Sequence, residues 1–76
     1  MIYEGGFIMP HVDITMFPGR DDKAKKEIAE KVQNFLSNEL GIDKGFVSVS
    51  IEDIPKEKWQ DHMENMKDKI MFVKPL

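Results

Sequence analysis

The stretch from Asp21 to Leu40 sets the architecture of this chain. Ile28, Val32, Phe35, Leu36 and Leu40 recur there at helical spacing, while Lys23, Lys25, Lys26, Glu27, Glu30 and Lys31 lie mainly off that stripe. One long amphipathic helix with a solvated charged face is the expectation. Asp21 or Asp22 suits its start, as a cap and as negative charge at the positive end of the helix dipole. Gly41 suits a left-handed position just past its end. A short alternating run stands on each side. Val12, Ile14 and Met16 alternate with His11, Asp13 and Thr15 before a Pro18-Gly19 turn, and Val47, Val49 and Ile51 alternate with Ser48, Ser50 and Glu52 in residues 45–52. Strand, long helix and strand in that order favour a right-handed parallel βαβ unit, with the helix covering the apolar face of the sheet.

Two strands and one helix give a thin core, so partner subunits are expected to extend or cover the sheet. The 76 residues contain no cysteine, which removes disulfides and thiolate metal ligands as staples and leaves self-association. The same absence, with no long apolar run, lipidation motif or credible signal peptide, makes the cytoplasm the default compartment. Acids and bases are interspersed at a net charge of −3, so there is no basic stripe for nucleic acid and no cationic face for a membrane. A small anionic ligand would need its own local cation.

Pro55 can open a short helical segment, after which Trp59, Met63, Met66 and Ile70 come at spacings compatible with one helical face. Methionines at such intervals are read as adaptable packing rather than ligands. Met71-Phe72-Val73 is expected to form a terminal strand or arm. No repeat, low-complexity tract or domain boundary divides residues 9–76.

Residues 1–8 match the strand pattern of residues 11–16 poorly, because Gly5 and Gly6 interrupt any alternation. Glu4-Gly5-Gly6 is encoded by codons that can spell a purine-rich ribosome-binding site, and Phe7-Ile8 supply spacing before Met9. Met9 is therefore expected to be the natural initiator and residues 1–8 a translated leader. The alternative is an extra strand or flexible arm. If translation begins at Met9 and that methionine is removed, Pro10 presents a free secondary amine, which can be a base. Inside a longer chain the same nitrogen is a tertiary amide with no useful basicity.

From Met9 to about Trp59 the chain resembles the 4-oxalocrotonate tautomerase family of the tautomerase superfamily. The resemblance rests on Met9-Pro10, on Gly19-Arg20 ten residues beyond the proline, and on Trp59 after the Ile54-Pro55-Lys56-Glu57-Lys58 segment. It implies an α+β fold: a small βαβ subunit with a parallel strand pair, one long helix, and a short C-terminal helix and arm used in oligomerisation. It also implies Pro10 as the catalytic residue, Arg20 as the substrate-binding arginine and Trp59 as an aromatic wall. Ser48 stands where the best-known hexameric members carry a second arginine. With the Val47–Ile51 strand, Trp59 and the methionine-rich tail, this looks more like a dimeric subgroup acting on arylpyruvate enols.

Keto-enol tautomerisation needs one group that accepts and returns a proton near neutral pH. An α-amino group titrates near 8 in model peptides, and burial or a nearby cation lowers that value. Pro10 is thus the expected general base, with no cofactor. Arg20 would hold the carboxylate of a 2-oxo acid through its planar fork, and its charge would favour neutral Pro10. Trp59 would pack on the apolar part of the substrate or else in the core. His11 would hydrogen-bond an enol oxygen or tune charge, and Ser48 is the remaining candidate substrate contact. His62 is expected on an exposed helical face. No metal site is expected, since the histidines lack a clear spacing with carboxylates. Ser48 and Ser50 have no evident triad partner, which argues against a serine hydrolase. The leading expectation is an enol tautomerase, inactive while residues 1–9 remain attached. Alternatives are a hydratase, dehalogenase or decarboxylase on the same scaffold, in which cationic Pro10 acts as an acid, and a non-enzymatic oligomeric binding module.

Overall fold

The computed structural model of the chain describes residues 9–66 and 70–75. The expectation for residues 1–8 lies outside them. Strand β1 (His11–Met16) leads into helix α1 (Asp22–Leu40), then strand β2 (Ser48–Asp53) and the short helix α2 (Trp59–Glu64). The strands form a parallel pair with His11 opposite Ser48 and Met16 opposite Asp53. This is the small α+β, βαβ arrangement that the sequence pattern implies.

Local chemistry fixes the ends of α1 where the sequence places them. Asp21 is the N-cap, its carboxylate accepting from the Ala24 N–H at 2.9 Å. Gly41 closes the helix at φ 68°, a left-handed conformation in which glycine carries no Cβ penalty. Ile28, Val32, Leu36 and Leu40 lie on an i+4 row and are half-buried. Phe35, expected on the same stripe, is 68% exposed. It sits one residue, about 100°, behind Leu36 around the helix, and so falls off the face that meets the sheet.

The second strand starts later than its apolar alternation suggests. Lys44–Phe46 form a 3₁₀ turn, capped by the Asp43 carboxylate accepting from the Gly45 N–H at 2.8 Å. Gln33 grips that turn from α1, its Nε2 donating to the Lys44 carbonyl at 2.9 Å and the Val47 carbonyl at 3.0 Å. Val47 is thereby pinned beneath the helix at 4% exposure, the one buried apolar residue among those described. A core this small agrees with the sequence argument that two strands and a helix leave apolar surface for a partner.

The C-terminal part departs further from expectation. Helix α2 ends at Glu64, with the Asn65 N–H donating back to the Asp61 carbonyl and the Met66 N–H to the Met63 carbonyl. Met66 and Ile70 therefore do not continue a face begun by Trp59 and Met63. Met71-Phe72-Val73 forms no strand, and Phe72 is 93% exposed. No helix among the described residues is long and apolar enough to cross a membrane.

Candidate active site

A cleft of about 580 Å³ opens at the C-terminal end of β1, between Thr15, Met16, Phe17, Pro18, Arg20, Ile28 of α1 and Trp59 of α2. Its walls are set by local sequence. Gly19 at φ 139° lets the Pro18-Gly19-Arg20 segment turn sharply out of β1, leaving Arg20 exposed at the rim. Trp59 meets Phe17 edge to face, with ring centroids 5.1 Å apart. Aromatic walls with one guanidinium at the edge suit a flat apolar body that carries a carboxylate. Among the described residues, no carboxylate pairs with Arg20. An ion pair between Lys25 and Asp53 at 2.9 Å ties the start of α1 to the end of β2.

His62 packs against two residues of this cleft, Thr15 and Trp59, and is not on an open face, contrary to the sequence reading. It is half-buried, 2.9 Å from the Thr15 hydroxyl through Nε2, and its ring tilts against Trp59 at 5.5 Å. The helical pattern alone gives no sign of this, because α2 is only six residues long and docks on the sheet face that carries Thr15.

Pro10 lies elsewhere. It precedes β1, while Arg20 and Trp59 gather beyond its other end, so the length of a six-residue strand separates them. At about 3.3 Å per residue that is roughly 20 Å. One chain does not bring the expected base and the expected arginine together. Pro10 is half-buried, and its carbonyl accepts from the Ser48 N–H at 3.2 Å.

Around Pro10 the strand register collects a polar cluster. His11 Nδ1 is 2.6 Å from Ser48 Oγ, His11 Nε2 is 2.9 Å from Ser50 Oγ, and the Ser50 hydroxyl donates to Asp13 at 2.6 Å. The serines therefore do have a histidine partner, which the sequence reading misses. The order still differs from a hydrolase triad, since the carboxylate binds a serine rather than the imidazole. Of the five residues singled out by sequence, His11 and Ser48 join Pro10 at one end of β1, and Arg20 and Trp59 meet at the other.

Comparison with known proteins identifies the family. The family described as "Tautomerase enzyme" matches residues 10–69. A 2-hydroxymuconate tautomerase of Comamonas testosteroni is 41% identical over 51 residues, covering 67% of this chain and 81% of that protein. The protein of the same name from Pseudomonas putida is 39% identical over equal shares. A probable tautomerase of Xylella fastidiosa is 33% identical over 55 residues, covering 72% of this chain and 67% of its own.

Proposed function

This chain belongs to the tautomerase family, in the 4-oxalocrotonate tautomerase branch, and from that premise we propose that it is a keto-enol tautomerase for 2-oxo acid enols of arylpyruvate type. An isomerase activity of the tautomerase kind is what the family carries. The observation that carries the finer reading is where the family match begins: at Pro10, directly after Met9. Initiation at Met9 and removal of that methionine would place a secondary amine at that first residue. The domain is then encoded by residues 9–76, with residues 1–8 a leader and the cytoplasm its compartment.

The enol O–H passes its proton to the Pro10 nitrogen. The resulting ammonium returns a proton to the adjacent carbon while the C–O bond becomes a carbonyl. Arg20 holds the substrate carboxylate through two hydrogen bonds and draws electron density toward the enolate. Phe17 and Trp59 cover the aryl group and exclude water.

These groups can meet in a homodimer. Among the described residues the sheet contains two strands, so β1 pairs with β2 on one edge only. Antiparallel pairing of two copies along the other edge of β1 sets the start of one strand against the end of its neighbour. Pro10 of one protomer then faces the cleft of its partner, and two equivalent sites form. Exposed Phe17, just beyond the far end of β1, is covered by the same contact.

The chain beginning at Pro10 is expected to accelerate ketonisation of phenylenolpyruvate, monitored by loss of enol absorbance, and to prefer it to 2-hydroxymuconate. A homogeneous Pro10-initiated preparation that leaves the uncatalysed rate unchanged contradicts the reading. Preference for the diacid overturns the arylpyruvate assignment alone.

A further inference from the structure

Trp59 stands on a helix with little to hold it in place. Helix α2 spans only Trp59–Glu64, far short of the length at which a helix persists in water without tertiary contacts. Two of its side chains, Trp59 and His62, lie three residues apart and so share a face. They meet two residues that lie two apart in the segment leaving the sheet: Trp59 touches Phe17 edge to face, and His62 Nε2 is 2.9 Å from Thr15 Oγ. Phe17 is itself 46% exposed, so the aromatic contact alone leaves the helix room to pivot. The second contact removes that freedom. Among the described residues, His62 to Thr15 is the one hydrogen bond that ties a side chain of α2 to the sheet.

We propose that His62 is a positioning residue for aryl recognition: through its bond to Thr15 it holds Trp59 across the cleft where the ring of the substrate packs, although His62 does not itself line that cleft. This rests on the proposed function for the class of ligand. A wall that is in place in only a fraction of the molecules lowers the apparent affinity of a ligand that needs it by that fraction. An aryl carboxylate bears that loss. A small alkyl carboxylate, held by Arg20 alone, does not.

Cinnamate and crotonate carry the same carboxylate on the same double bond and differ in phenyl against methyl, so their affinities, measured by NMR titration of the Pro10-initiated protein, isolate the wall. The parent is expected to bind cinnamate about tenfold tighter, from the extra apolar surface buried. Thr15→Val and His62→Leu should each lower that ratio roughly three- to tenfold, the range of one neutral hydrogen bond, with crotonate affinity unchanged. Thr15→Ser, which keeps the hydroxyl, should retain the parental ratio. Combining Thr15→Val with His62→Leu should cost no more than either alone, because both cut the same bond. Trp59 is the only tryptophan, so its time-resolved fluorescence anisotropy reports the helix directly. A fast component is expected to appear in Thr15→Val and His62→Leu and to be absent from the parent and Thr15→Ser. A parental ratio near one, a ratio and anisotropy indifferent to both variants, or equal loss of both ligands, the mark of a merely structural role, overturns the inference. None of these readouts needs turnover. A chain that shows the expected ratios without catalysis removes the proposed reaction and leaves the role of His62 standing.

Discussion

A chain that keeps residues 1–9 ahead of Pro10 is expected to ketonise phenylenolpyruvate about 10²- to 10⁴-fold more slowly than the chain beginning at Pro10, which is the range a positioned acid-base group contributes. The two polypeptides share every side chain of the cleft and the polar cluster, so substrate contacts other than those at the amine are common to both. What differs is one atom. As an amide, the proline nitrogen delocalises its lone pair into the carbonyl and cannot accept the enol proton. The loss should fall on kcat rather than KM, because the missing interaction is with the transferring proton and not with the resting substrate. Cleaving the long form at Pro10 should restore the rate. Equal rates before and after cleavage would show that the base is another group.

Arg20→Ala carries the second large effect. A charge-assisted hydrogen-bonded pair contributes about 1.5–3 kcal/mol, so kcat/KM is expected to fall roughly 10- to 150-fold. Most of that should appear as a raised KM, since the carboxylate is held in both ground and transition states. The effect also has a topological signature. Pro10 and Arg20 lie a strand length apart in one chain, so a protomer lacking only its proline and a protomer lacking only its arginine should complement each other. After random mixing of Pro10→Ala with Arg20→Ala subunits, half of the dimers are hybrids. Each hybrid holds one intact pair, so about a quarter of the parental sites should return. No recovery on mixing, in subunits shown to exchange, would place both residues of a working site in one chain. Unchanged kinetics for Arg20→Ala would remove the arginine from the site altogether.

How far the sequence alone reaches depends on whether the deciding contact is local. The helix is legible to the residue at its C-terminal end, because Asp21 and Gly41 act within a turn of themselves. Both strands are visible in their alternation. The start of the second is misjudged because Asp43 and the distant Gln33 hold residues 44–47 in a turn that Val47's place in the pattern conceals. The His11–Ser48 and His11–Ser50 bonds span 37 and 39 residues and depend on the pairing of two strands, which no spacing within either strand expresses. His62 is misplaced for the same reason, its partner Thr15 being 47 residues away. The separation of Pro10 from Arg20 is a different lesson. Ten residues apart reads as near in sequence, but six of the intervening residues are extended, and strand rise alone is enough to keep them from meeting. Family resemblance names both residues as a set without saying that one chain holds them apart.

The account stands on the amine of Pro10 acting as a base, and the most direct measurement is its titration beside the rate. In the Pro10-initiated chain labelled with ¹⁵N-proline, the N-terminal nitrogen can be tracked against pH and compared with the pH dependence of kcat/KM, which reports the free enzyme's essential groups. Catalysis is predicted to rise as that nitrogen loses its proton, with a shared midpoint. A rate that falls as the amine deprotonates, or that ignores its titration, would contradict the assignment and point to acid chemistry or to another base.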